Sequence, residues 1–299
     1  MSLLRISDLR VSYPGPSGPV EVLHGLDLDV EAGARVALVG ESGSGKSVAA
    51  RAILRLDTDA ALAGSIRLSG TELTGLPAKR LRAVRGSGAG LVFQDPLAAL
   101  NPVRTIGWQI MQPLVIRGVR RSEARRRGIE LLGRLGVRDA GHRFDDYPHE
   151  FSGGMRQRAV IAIAVIAEPK LLIADEPTTA LDVRVQAQVL ELLSGLADER
   201  HMAVLLITHD LGIVASFAES VVVLRHGRVV ERGLTDDIYY RPAHPYTRGL
   251  LGAVPRIDAD PSVRLATVPP GTAAADAGPG DDPGQPEMPG EKQNETESP

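Results

Sequence analysis

Residues 34–47 read ARVALVGESGSGKS, a short apolar run followed by a glycine-rich loop that ends in Lys-Ser. The apolar run is typical of an interior strand, and we expect a helix to follow from about Lys46 to Leu56. The loop GESGSGKS matches the pattern G-x-x-x-x-G-K-[ST], whose glycines let backbone N–H groups wrap around phosphates. In this pattern Lys46 reaches the β and γ phosphates and the Ser47 hydroxyl binds Mg²⁺. The candidate ATP ligands in the loop are Gly40, Glu41, Ser42, Gly43, Ser44, Gly45, Lys46 and Ser47.

Other apolar runs extend this strand-loop-helix unit into a sheet. AGLVF near residue 91, LLIAD at 171–175 and AVLLIT at 203–208 are candidate core strands separated by helical segments. Strands that alternate with helices predict a mainly parallel sheet. Near the N-terminus, LLRISDLRVSY and VLHGLDLDV alternate apolar and polar residues as half-buried strands do. Between Pro96 and Pro169 only helical patterns occur, which predicts an inserted helical subdomain.

Composition limits the class of protein. The chain has 299 residues, 43% hydrophobic and 24% charged, which suits a soluble globular α/β protein. With no cysteine it has no disulfide and no cysteine-ligated iron-sulfur cluster. The net charge of -3 does not indicate nucleic acid binding, and the longest apolar run, 159–167, is too short to span a bilayer. From about Pro261 onward proline, glycine and acidic residues dominate, which predicts a disordered tail.

Polar side chains stand at the ends of three of the predicted strands. LLIADEP places Asp175 and Glu176 at the carboxyl end of a buried strand, where open parallel sheets bind ligands. Asp175 is expected to hold Mg²⁺, and Glu176 to orient and partly deprotonate an attacking water. His209 follows the next strand and is expected to contact the γ phosphate. Gln94 ends the strand AGLVF and is expected to form the Mg²⁺ site with Ser47 and Asp175 and to report Mg²⁺ and water to the helical segment.

A second candidate anion site begins the apolar segment 159–167. FSGGMRQR at 151–158 puts Ser152, Gly153, Gly154 and Met155 where a helix should start. Backbone N–H groups at a helix N-terminus are unpaired and carry the positive end of the helix dipole, which suits a phosphate. The glycines leave those groups approachable.

Together these motifs resemble the ATP-binding subunit of ABC transporters over residues 1–255. The set comprises GESGSGKS, Gln94, FSGGM, LLIADEP, ALD at 180–182 and His209, in the order and spacing of the family. The resemblance implies a P-loop α/β core with a mainly parallel sheet, an antiparallel β subdomain and an inserted helical subdomain. It also implies that Ser152, Gly153, Gly154 and Met155 hold the ATP of an opposite subunit, with the Asp182 loop beside it. By the same resemblance Tyr13 stacks on adenine.

Three segments resemble the branch of the family that imports dipeptides, oligopeptides and, in some members, nickel: FSGGMRQR, 93–110 and 241–255. This implies two transmembrane permeases, a second ATPase subunit (related or identical), a solute-binding protein and a place on the cytoplasmic face of the membrane. The expected organisation is a nucleotide-binding domain at 1–240 with its helical subdomain at about 96–169. An importer-type extension at 241–260 and the acidic tail at 261–299 complete it.

Other functions remain open at the level of sequence. A nickel or other small-solute importer and an exporter or self-resistance subunit would use the same nucleotide motifs. A soluble ABC ATPase acting on DNA or ribosomes is disfavoured by the single cassette and by the gap of 105 residues between Ser47 and Ser152. A P-loop small-molecule kinase would not need FSGGM.

Overall fold

Two β-sheets organise the chain in the computed structural model, which describes residues 2–178 and 183–253. All of these residues belong to one compact unit, Met1–Val268. Within the described ranges the strands are β1 (Ser2–Tyr13), β2 (Val20–Glu31), β3 (Arg35–Val39), β4 (Ala61–Leu68), β5 (Thr71–Glu72), β6 (Ala89–Val92), β7 (Leu171–Asp175), β8 (Ala203–Thr208), β9 (Ser220–Arg225) and β10 (Arg228–Leu234). The helices are α1 (Lys46–Ile53), α2 (Ala78–Ser87), α3 (Pro96–Ala99), α4 (Ile106–Val115), α5 (Arg121–Arg134), α6 (Ala140–Arg143), α7 (Gly153–Val165), α8 (Val183–Arg200), α9 (Leu211–Phe217), α10 (Thr235–Tyr240) and α11 (Pro245–Gly252). A 3₁₀ turn at Pro148–Glu150 precedes α7.

The larger sheet has the strand order β10-β9-β3-β8-β7-β6. Its pairs are parallel except for β9 with β10, which form an antiparallel hairpin. The smaller sheet, in the order β2-β1-β4-β5, is antiparallel. The predicted fold class is therefore confirmed: a mainly parallel sheet accompanied by an antiparallel one.

Alternation along β3 shows why the large sheet is buried on both faces. Ala37 and Val39 pack into a hydrophobic cluster with α4, α5, α7 and α8. Val36 and Leu38 point to the opposite face, where they pack with α1 and the antiparallel sheet. Successive side chains of a strand face opposite sides, so a strand covered on both sides reads as one continuous apolar run. This is the pattern seen in the sequence.

Observed boundaries agree closely with the sequence in the core and less well at the edges. The predicted strands 171–175 and 203–208 coincide with β7 and β8. α1 ends at Ile53, three residues before the predicted end, because Arg55 adopts the left-handed region (φ 49°) and a helix cannot continue through it. The predicted tail, 261–299, lies outside the described residues.

The segment between β6 and β7 contains helices and one 3₁₀ turn in the described structure. Phe144, which follows α6, is fully buried between α4 and α5. The backbone N–H of Gly107 at the start of α4 donates to the Phe144 carbonyl oxygen (2.7 Å). Helices α4 and α5 also pack against α7, which begins at Gly153, so their arrangement helps to position α7.

Candidate active site at the carboxyl edge of the parallel sheet

The glycine-rich loop lies between β3 and α1, and its glycines are required by its shape. Gly43 and Gly45 have φ values of 82° and 104°, a region that disfavours side chains. A Cβ atom at Gly40 would lie 2.2 Å from the carbonyl oxygen of Leu224 in β9. The loop thus passes against the backbone of a neighbouring strand, which only glycine allows.

Lys46 curls back over this loop. Its side chain is buried, and its Nζ donates to the carbonyl oxygens of Gly40 (2.7 Å) and Glu41 (2.8 Å). Burial lowers the pKa of Lys46, and the nearby Glu176 and Asp175 carboxylates oppose that shift. A desolvated cation held at a glycine loop is well suited to a phosphate ligand, which would replace the carbonyl contacts.

Ser47 and Asp175 form the candidate Mg²⁺ site. The Ser47 hydroxyl donates to Asp175 Oδ1 (3.0 Å), and Asp175 is buried at the end of β7. Burial raises the pKa of Asp175, while the Ser47 hydrogen bond opposes the shift. A hydroxyl and a carboxylate are hard oxygen donors, the ligands that Mg²⁺ prefers. Gln94 lines the same cleft of about 460 Å³ as these two residues, so the structure places the three predicted Mg²⁺ residues together.

Glu176 is held between two side chains from neighbouring strand ends. Gln94 Nε2 donates to Glu176 Oε2 (2.8 Å), and His209 Nδ1 lies 3.1 Å from Glu176 Oε1. The Glu176 backbone adopts φ 46°, an unfavourable conformation for a non-glycine residue that is typical of functional sites. Its N–H donates to the Ile207 carbonyl oxygen (2.8 Å), which secures it against β8. The carboxylate is therefore oriented by an amide and an imidazole, as a water-activating base requires.

The Ser-Gly-Gly segment starts α7 as predicted. The Ser152 hydroxyl caps the helix by accepting the Met155 N–H (3.4 Å). Ser152 and Gly153 are exposed, and a Cβ atom at Gly153 would meet nothing within 4 Å. In the described part of the chain, the hydrogen bonds of Ser152–Met155 do not reach the glycine-rich loop. The N–H groups in the first turn of α7 thus form a candidate anion site separate from the glycine-rich loop.

Tyr13 and Asp182 are the remaining predicted residues. The Tyr13 hydroxyl donates to Asp57 Oδ2 (2.5 Å), which also accepts from Arg51 Nε (2.9 Å). Burial is the main cause of the raised pKa of Tyr13. These bonds fix the tyrosine near the end of β1, and its contact with adenine stays a prediction. Asp182 lies outside the described residues.

One neighbour of the loop was missed by sequence reasoning. The Tyr246 hydroxyl of α11 accepts the backbone N–H of Glu41 (3.1 Å). The segment RPAHPYTRGLL contains a helix-start signal, with Pro245 in the first turn, and nothing in it points to the loop. Only the tertiary structure brings it there.

The site combines a glycine loop with a lysine, a hydroxyl–carboxylate pair and an oriented carboxylate at one sheet edge. These features define a P-loop nucleoside triphosphatase. A family model described as ABC transporter matches residues 23–179, and one described as oligopeptide/dipeptide transporter, C-terminal region, matches residues 230–280. The chain belongs to the ABC transporter family, as its motifs predicted, and to the ATP-hydrolysing subunits within it.

Named relatives and solved structures agree with this placement. The oligopeptide transport ATP-binding protein OppD of Salmonella typhimurium is 44% identical over 269 residues, which cover 89% of this chain and 80% of the relative. OppD of Bacillus subtilis (strain 168) is 44% identical over 271 residues, 89% of this chain and 76% of the relative. The solved dimer of the cassette MJ0796 bound to ADP and Pi has a TM-score of 0.71 and 27% identity. That match covers 78% of this chain and 98% of the solved one.

Proposed function

We propose that this chain is the ATP-hydrolysing subunit of a peptide importer, and that its ATPase acts through Glu176. The observation that carries this proposal is the hydrogen-bonded group of Gln94, Glu176 and His209 beside the phosphate loop. The C-terminal family match and the names of the relatives support peptides as the cargo. Di- or oligopeptides are the proposed substrates.

In the proposed reaction, residues 40–47 bind the phosphates of ATP through backbone N–H groups and Lys46. Ser47 and Asp175, with Gln94 beside them, would hold Mg²⁺, which would neutralise charge on the phosphates. Glu176 accepts a proton from water as the water oxygen bonds to the γ phosphorus and the bond to the β–γ bridging oxygen breaks. The products are ADP and inorganic phosphate. His209 positions Glu176 and contacts the γ phosphate.

The exposed Ser152 and Gly153 at the start of α7 support a pair of ATPase subunits, each completing the other's site. We propose that the partner is a related chain or a second copy, that two permeases form the channel, and that a solute-binding protein delivers the peptide. Among the described residues, no helix has the length and apolar character needed to cross a membrane. The proposed location is the cytoplasmic face of the membrane, in contact with the permeases.

The first test is the substitution Glu176→Gln in the full chain. It keeps the side-chain size and removes the proton acceptor, so ATP turnover should fall by about 10²- to 10⁴-fold while ATP binding is retained. We expect ATP to trap a dimer, which light scattering after gel filtration detects. The matched control is Glu191→Gln on the exposed part of α8, which should hydrolyse ATP at the original rate. Unchanged turnover in Glu176→Gln would rule out the proposed role of Glu176.

The second test identifies the partners. The chain is tagged, extracted from its native membranes in mild detergent with ATP, and analysed by mass spectrometry. Recovery of two permeases and an ATPase partner in stoichiometric amounts supports the importer. Recovery of the chain alone, with ribosomes or with DNA refutes the transport assignment and leaves the ATPase assignment intact.

A further inference from the structure

Helix α11, the last helix of the described residues, contacts the phosphate loop at the peptide group between Gly40 and Glu41. The N–H of Glu41 donates to the Tyr246 hydroxyl (3.1 Å), and the carbonyl oxygen of Gly40 accepts from Lys46 Nζ (2.7 Å). That N–H and that carbonyl belong to the same planar peptide, between Gly40 and Glu41. Rotation of this peptide would therefore disturb both contacts at once. Tyr246 and Lys46 thus act on the same rigid unit of the loop.

Tyr246 is itself firmly placed. It is 1% exposed, and the Arg225 guanidinium lies 4.8 Å from the centre of its ring, in a cation–π contact. Arg225 ends β9, next to Leu224, the residue whose backbone the loop passes most closely. In the turn that follows, the Gly227 N–H donates to the Ser44 carbonyl oxygen (2.9 Å). The β9–β10 turn and α11 therefore both pack against the phosphate loop and support it.

The start of α11 is fixed to β10. The Glu231 carboxylate accepts the backbone N–H groups of Ala243 (2.7 Å) and His244 (3.1 Å). His244 Nδ1 in turn accepts the Tyr246 N–H (3.1 Å) and caps the helix. Burial opposes the charge of Glu231, but the hydrogen bonds from the Ala243 and His244 N–H groups hold its pKa below the ordinary value. The position of the Tyr246 hydroxyl is therefore set by the sheet.

We propose that Tyr246 is a positioning residue for ATP binding, whose hydroxyl holds the Gly40–Glu41 peptide, and with it the loop, in the geometry that receives phosphates. This inference rests on the proposed binding of ATP by residues 40–47. A loop that is already ordered loses less entropy when its ligand binds, so its affinity is higher. Glu176, His209 and Gln94 lie on other elements, so the chemical step does not depend on Tyr246. The hydroxyl should affect nucleotide affinity and leave kcat unchanged.

The test is Tyr246→Phe in the full chain, which keeps the ring beside Arg225 and removes only the hydroxyl. We expect the Kd for a fluorescent ATP analogue with Mg²⁺, and the KM for ATP, to rise about threefold to tenfold, with kcat within about twofold of the original. The range corresponds to the usual net value of one hydrogen bond. Glu231→Gln is a second variant: it weakens the attachment of α11 without altering the tyrosine, and should also raise the Kd.

The matched control is Thr235→Val, which removes another buried hydroxyl, one that donates to the Ala218 carbonyl oxygen (2.6 Å) away from the loop. It should lower the melting temperature and leave the Kd unchanged. Lys46→Ala serves as the reference for loss of phosphate binding. If Lys46→Ala leaves the Kd unchanged, the proposed role of the loop fails. If Lys46→Ala abolishes binding while Tyr246→Phe binds like the original chain, or weakens binding no more than Thr235→Val, the positioning role of Tyr246 is refuted.

Discussion

The packing of Phe144 predicts that Gly107 cannot carry even a methyl group. A Cβ atom at Gly107 would lie 2.0 Å from Phe144 Cδ1 and 2.5 Å from the Phe144 carbonyl oxygen. The ring cannot rotate away freely, because Gly128 of α5 closes its other side: a Cβ there would lie 2.7 Å from Phe144 Cζ. The carbonyl is backbone and accepts the Gly107 N–H, so it cannot move without breaking that bond. Gly107→Ala must therefore displace α4.

The size of the effect follows from these contacts. Overpacking of a tight core costs about 1–3 kcal/mol, and the weakened Gly107 hydrogen bond adds about 1 kcal/mol. The higher helix propensity of alanine relative to glycine offsets up to about 1 kcal/mol of this destabilisation. We expect a net loss of about 1–3 kcal/mol in the free energy of unfolding, or on the order of 5 °C in the melting temperature. Circular dichroism melting measures this shift.

The same substitution at Gly133 in α5 is the control. A Cβ atom there would lie 3.7 Å from the Ala140 Cβ, an ordinary contact. Gly133→Ala should therefore stabilise the chain by about 0.5–1 kcal/mol, through helix propensity alone. The two variants should shift the melting temperature in opposite directions. If Gly107→Ala melts at or above the temperature of the original chain, the argument from Phe144 packing is wrong.

Two further predictions concern the active site and the antiparallel sheet. Gln94→Ala removes the amide that orients Glu176, so kcat should fall about tenfold with little change in the KM for ATP; steady-state ATPase assays measure both. The second prediction concerns how folding stability depends on pH through Glu72. Burial disfavours the charged form of Glu72, but hydrogen bonds from Ser65, Thr74 and backbone N–H groups lower its pKa to about 2. Because the folded-state pKa lies below the ordinary value, the stabilisation is full above about pH 4.5 and is lost as the pH falls towards 2. The side chain is more than a third exposed, so Glu72→Gln should cost about 1 kcal/mol at pH 7, and urea titrations should find a smaller difference at low pH.

Much of the candidate site could be predicted because its residues directly follow core strands, and those strands are visible in the sequence as apolar runs. β7 and β8 read as uninterrupted apolar runs, since both faces of the parallel sheet are covered. Parallel strands present their carboxyl ends at one edge, so residues that follow neighbouring strands meet there. Glu176 and His209 are 33 positions apart in the sequence, and the structure places them in contact at this edge.

Other features depend on information that local patterns do not contain. The β9–β10 hairpin had a usable signal: two strand-like runs joined by His226 and Gly227, both of which adopt positive φ in a tight turn. The contact between Tyr246 and Glu41 had none, because the two residues are 205 positions apart and α11 reads as an ordinary capped helix. Pairing over such a distance is decided by how the hairpin and α11 pack on the loop.

The glycine at position 153 keeps the N-terminus of α7 open to a ligand. It is the first residue of α7, its φ is not positive, and a Cβ atom would meet nothing within 4 Å. The described chain therefore imposes no steric need for glycine, unlike Gly40, where Leu224 excludes a side chain. Without a side chain at this position, the first-turn N–H groups of α7 stay open to close approach by a phosphate. In the proposed pair this phosphate belongs to the ATP of the partner.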